Sequence, residues 1–187
     1  VLSFVTQYWS LLVLVPAVAI GAITDISTGK IYNKLTYPVI AIALIGHTLA
    51  GGWNDGGTGP FNVGLLDALC GLLLGGGLLL LAVMAGGLHM GDVKLMAAIG
   101  ALLGWHLTLV SLVYTFIAAA LLSIVIILYR RVFWRTMGRL ASFVWQIVAA
   151  RRAVDPATPD SPQAPFGLAI AIGSLAAVAE YLLRIWM

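Results

Sequence analysis

Six apolar runs separated by short polar connections constrain this chain more than any other feature. They lie at about 8–24, 35–51, 63–86, 93–104, 107–129 and 166–184. A helix needs about 20 apolar residues to cross a hydrocarbon core of roughly 30 Å. Within that core only structures that satisfy their own backbone hydrogen bonds survive. A composition of 61% hydrophobic and 9% charged residues excludes a soluble domain of 187 residues. The expected fold is an all-α integral membrane protein of about six transmembrane helices, a single polytopic unit over 1–187.

The fourth run is short, since twelve residues rise only about 18 Å. Trp105 and His106 then mark an interfacial turn before the fifth run. The alternative is one long tilted helix across 93–129. Charge placement favours separate spans. Lys30, Lys34, Lys94, Arg130, Arg131, Arg135, Arg139, Arg151 and Arg152 all fall on one side of a six-span topology, leaving Arg184 near the other. The positive-inside rule makes the shared side cytoplasmic and puts both ends of the chain outside. Ala17-Val18-Ala19 imitates a signal cleavage site, but no basic residue precedes Lys30, so the first run reads as a retained span.

Within 130–165, apolar Trp134, Met137, Leu140, Ala141, Val144, Ile147 and Val148 recur at helical spacing, predicting an amphipathic helix on the inner leaflet. Its arginines suit anionic lipid or a protein of an assembly machine. A Pro-rich linker follows at Asp155–Pro162. The basic balance reads as topology rather than as nucleic-acid binding. The single Cys70, inside an apolar run, excludes a disulfide framework or a four-cysteine zinc site. Gly71-x-x-x-Gly75 and Gly100-x-x-x-Gly104 are patterns that let helices approach closely.

Two aspartates stand where a membrane protein normally avoids them. Asp25 follows the first apolar run, and Asp92 opens the fourth within His89-Met90-Gly91-Asp92-Val93-Lys94-Leu95. Acidic groups at the hydrocarbon boundary are costly and are functional candidates by default. Two carboxylates on one side of a bilayer can share a proton and activate water. Taken alone, Asp92 also suits a helix N-cap and Asp25 a polar loop. Lys94 either tunes or binds near Asp92, or snorkels to headgroups. Lys30 and Asn33 position a substrate or simply the loop. Asp67 reads as an interfacial group at the opposite side, and Glu180 pairs with Arg184 four residues on. His89 beside the two carboxylates offers an incomplete metal set, and no metal is expected.

At these aspartates the sequence resembles the type IV prepilin peptidase family, membrane aspartic proteases with a GxGD signature. The resemblance rests on Asp25 through Ile31-Tyr32-Asn33, on Gly91-Asp92-Val93-Lys94-Leu95 with Ala97-Ala98-Ile99-Gly100 after it, and on Pro165-Phe166-Gly167 before the last run. His89 stands where the signature has its first Gly, and Tyr32 where Pro is usual.

The resemblance implies an intramembrane aspartic endopeptidase. Asp25 and Asp92 would be catalytic, with Gly91, Lys94, Lys30 and Asn33 supporting, and no cofactor would be needed. It implies prepilin or pseudopilin substrates, cleaved at the cytoplasmic face of the inner membrane of a bacterium or archaeon. The connection between the first two runs is only about ten residues, without the cysteine-bearing insertion of longer members. The short form associated with tight-adherence (Flp) pili, without N-methylation, is therefore expected. Two other classes remain: a non-catalytic assembly factor that binds pilins, and an ion-coupled transporter.

Overall fold

A computed structural model describes residues 2–53, 61, 63–84, 88–129 and 165–187. The described residues form five helices: α1 (Leu2–Thr28), α2 (Asn33–Gly51), α3 (Leu65–Met84), α4 (Met90–Tyr129) and α5 (Phe166–Trp186). Each contains a stretch long and apolar enough to cross a membrane. The expected amphipathic helix and Pro-rich linker lie outside the described residues. The chain divides into two units, 1–118 with 165–187 and 119–164. Of the second, only the final turns of α4 are described.

The fourth and fifth apolar runs form one element, but not one straight helix. Gly104 breaks α4 with φ 73° and ψ 173°, a conformation that L side chains rarely adopt. The neighbours of α3 reveal what the break does. A Cβ built on Gly75 would lie 2.7 Å from the Met96 carbonyl oxygen and 3.3 Å from Thr108 Cγ2. In a straight helix these two residues would be about 18 Å apart. Both meet one glycine, so the chain reverses at Gly104 and the limbs before and after it lie side by side. Thr108 Oγ1 donates to the Gly104 carbonyl four residues before it, in the first turn of the second limb. Trp105 and His106 stand exposed at the turn, so the chain turns one residue before the expected interfacial pair.

Glycines make that hairpin compact. A Cβ on Gly71 would strike the Gly100 carbonyl oxygen and lie 2.7 Å from the Gly104 carbonyl carbon, while one on Gly100 would strike Gly71. The two small-residue patterns thus face each other, and α3 meets the first limb of α4 backbone to backbone. That limb is the most enclosed stretch of the bundle, with Leu95, Met96, Ala98, Ile99, Ala101 and Leu102 all buried.

The other helices surround it. Leu95 fills the space left by Gly21 of α1, and His47 of α2 donates from Nε2 to the Leu102 carbonyl at 3.1 Å, with its ring against Trp9. The second limb meets α5 through polar contacts. Ser111 bonds Ser174 at 3.0 Å, Tyr114 donates to Glu180 at 2.8 Å, and Glu180 also pairs with Arg184. The outer faces keep apolar side chains exposed, among them Leu12, Ile45, Leu73, Leu81 and Val113, as a surface that meets acyl chains requires.

The reversal sets a stability prediction. Gly104→Ala places a Cβ 3.0 Å from Val63 Cγ1 and forces alanine into positive φ, which costs about 1–2 kcal/mol. Gly77→Ala meets nothing within 4 Å. Thermal unfolding in detergent should show a lowered midpoint for Gly104→Ala and none for Gly77→Ala; equal midpoints would remove the turn from its structural role.

Candidate active site

The candidate residues come from three helix ends and one connection, gathered at one end of the first unit. Asp25 lies in the last turn of α1, four residues before Gly29, whose φ of 64° ends the helix as its N–H returns to the Asp25 carbonyl at 2.8 Å. Four residues, Gly29 to Tyr32, then connect to α2. Tyr32 takes φ −84° and ψ 137°, an extended conformation near the range of the proline it replaces in the resembling motif. Asn33 opens α2 and Asp92 sits in the first turn of α4.

Specific contacts draw these ends together. Lys94 Nζ donates to Asn33 Oδ1 at 2.8 Å and lies 5.6 Å from the centroid of the Tyr37 ring. The lysine therefore ties the start of α4 to the start of α2, and its charge faces an aromatic ring. Gly91 supplies a second tie. A Cβ there would lie 3.1 Å from Ile31 Cβ and 3.4 Å from Ile31 N, so its bare backbone lets α4 start against the α1–α2 connection. Lys30 is exposed in that connection.

The two carboxylates occupy different environments. Asp92 is 3% exposed. Its Oδ2 accepts the His89 N–H at 3.2 Å and its own N–H donates to the His89 carbonyl, a local cap for the start of α4. His89 contributes through its backbone, and its side chain is exposed. Asp25 is half-buried, and its Oδ2 accepts the Gly167 N–H at 2.7 Å from the first turn of α5. Gly91, the neighbour of Asp92, meets Ile31 in the connection that follows Asp25, which brings the two carboxylates to the same end of the bundle.

Of the residues singled out in the sequence, Asp25, Asp92, Gly91, Lys94 and Asn33 share this cluster, whereas Lys30 stands at its exposed edge. Sequence reasoning missed Ile31, Tyr37 and the direct role of Gly167. Gly167 and Ile31 had left a trace, in the Pro165-Phe166-Gly167 and Ile31-Tyr32-Asn33 motifs, and Tyr37 none. Asp67 lies elsewhere. It lines a cavity of about 160 Å³ with Gly104, His106 and Tyr181, beyond the far end of the first limb of α4 from Asp92. Among the described residues no three His, Cys, Asp or Glu side chains gather into a metal site.

The fold and this cluster define a multi-pass membrane protein with two carboxylates held at one end of its helices. A family model, the type IV leader peptidase family, matches residues 12–124, well over half of the chain and both aspartates. The chain belongs to the type IV leader peptidase family. No curated protein and no solved structure gives a significant match.

The capping geometry separates stability from chemistry at Asp92. Asn at position 92 retains an oxygen that can accept the His89 N–H, so Asp92→Asn should melt within a few degrees of the parent. Leu retains no acceptor, and Asp92→Leu should lose about 1 kcal/mol. Thermal melts of both variants in the same detergent check the cap; an equal midpoint for all three proteins would exclude it.

Proposed function

We propose that the chain is an intramembrane aspartic endopeptidase that removes the cytoplasmic leader of prepilin-like precursors. The observation that carries this reading is the convergence of Asp25 and Asp92 from two helices onto one end of the bundle, where Gly91 meets Ile31 and Lys94 bonds Asn33. Membership of a leader peptidase family supports the peptidase chemistry.

Two carboxylates suffice for hydrolysis when one is ionised and its partner protonated. The ionised group takes a proton from water as the water oxygen bonds to the scissile carbonyl carbon. The protonated group gives its proton to the carbonyl oxygen. The tetrahedral adduct then collapses as the C–N bond breaks and the leaving amine takes a proton, so one water is consumed per bond and the dyad is regenerated. Neither a metal nor a cofactor enters the sequence of steps.

The basic connections support an orientation with this end of the bundle at the cytoplasmic face of a bacterial or archaeal inner membrane, by the positive-inside rule. A precursor with a basic leader and a following apolar helix fits that placement. Its helix lies in the bilayer beside α1 to α5, and the bond to be cut reaches the carboxylates at the interface. Gly91, Lys94 and Asn33 would hold the two helix ends in register, with Lys30 at the entrance. The compact α1–α2 connection agrees with a peptidase that does not methylate the new amino terminus.

Co-expression with a prepilin from the same genome tests this reading. The parent should convert precursor to mature pilin, and Asp25→Asn and Asp92→Asn should each lower the rate by about a thousandfold or more at equal membrane levels, the scale of losing an acid–base group. Processing that survives both substitutions would return the aspartates to capping. Binding of precursor without cleavage by the folded parent would select a non-catalytic assembly factor. Cleavage in detergent, where no gradient exists, separates a peptidase from an ion-coupled transporter.

A further inference from the structure

We propose that Gly167 is a positioning residue for this hydrolysis: its backbone N–H fixes the Asp25 carboxylate, and its missing side chain leaves the space that carboxylate occupies. The inference rests on the two-aspartate reading above. It brings α5, which lies outside the 12–124 family match, into the working site.

Two independent features of the geometry support it. The first is the hydrogen bond of 2.7 Å from Gly167 N to Asp25 Oδ2, between residues 142 positions apart. The start of α5 has little else to satisfy it. Its N-cap is Pro165, with an extended backbone and no side-chain cap bond. A carboxylate from α1 supplies the acceptor that Ser, Thr, Asp or Asn would supply locally. The positive end of α5 faces that carboxylate as well. Hydroxyls adjacent to Asp25 are committed elsewhere: Thr24 bonds the Ile20 and Gly21 carbonyls, and Ser27 and Thr28 bond the Thr24 carbonyl.

The second feature is steric. A Cβ on residue 167 would lie 2.8 Å from Asp25 Oδ2, 2.9 Å from its Cγ and 2.9 Å from its Cβ. Rotation of the aspartate side chain would move the first two atoms away but not the third, which is fixed to the backbone of α1. Any side chain at 167 must therefore push α5 and α1 apart at this point or drive the carboxylate from its place. A displacement of about 1 Å at a reacting group is enough to cost about a hundredfold in rate.

Steady-state processing of a reconstituted prepilin, measured together with thermal midpoints, tests the inference in the full chain. Gly167→Ala should lower kcat tenfold or more with KM unchanged. Gly173→Ala serves as the structural comparison, because its Cβ would strike Thr115 from the same helix without touching Asp25. It should lower the midpoint while the folded fraction keeps the parent kcat. If Gly167→Ala does not fold, replacing Gly167 with glycolic acid exchanges the N–H for an ester oxygen and adds no side chain; kcat should again fall tenfold or more. Parent kcat in the folded Gly167 variants overturns the inference and leaves the two-aspartate reading standing. So does an equal kcat loss in Gly173→Ala, which would make the effect one of helix packing. A parent that leaves precursor intact, or Asp25→Asn that still cleaves it, overturns the two-aspartate reading and this inference with it.

Discussion

The backbone-to-backbone contact of α3 with the first limb of α4 is what the rest of the bundle depends on. Lipid offers no hydrophobic drive between helices, so association rests on close packing. Gly71 and Gly100 have no room for a side chain between them, and Gly75 admits both Met96 and Thr108. This closeness lets a short helical limb enter the bundle, turn at Gly104 and return beside itself. The limb starts at Met90, so its placement also determines where Asp92 sits.

The short limb resolves the conflict between a charged group and an apolar solvent. A carboxylate in mid-bilayer carries a large penalty. At the start of α4, Asp92 is shielded yet accepts the backbone N–H of His89, the residue before the helix. Asp25 has a comparable solution from a distance, because the first turn of α5 offers it the Gly167 N–H. Both acidic groups are thus placed by helix starts, whose amides and dipoles suit negative charge. Lys94, bonded to Asn33, brings a positive charge to the same end.

Much of this was legible in the residues. Apolar runs marked α2, α3 and α5 to within two residues at each end, and the membrane-crossing part of α1, Tyr8–Thr28, to within four, because a bilayer demands length and hydrophobicity that few other contexts require. The break between the fourth and fifth runs could be inferred from basic residues that a single long helix would have put on opposite sides. Its position was legible to within one residue from Trp105 and His106, whereas only the φ of 73° at Gly104 distinguishes the turning glycine from Gly100, which makes the packing contact. Asp25 and Asp92 stood out by chemistry, as did the Glu180–Arg184 pair by its spacing. The pairing of Lys94 with Asn33, 61 positions apart, had no local signature.

The sequence by itself determined the membrane class, the helical spans and the presence of two acidic groups at a membrane boundary. These follow from composition and periodicity, which act residue by residue. Tertiary structure alone decided that α4 doubles back, that Gly91 lies against Ile31 and that Gly167 donates to Asp25. Such contacts depend on how closely two backbones approach, and a glycine in a sequence does not say which helix it admits.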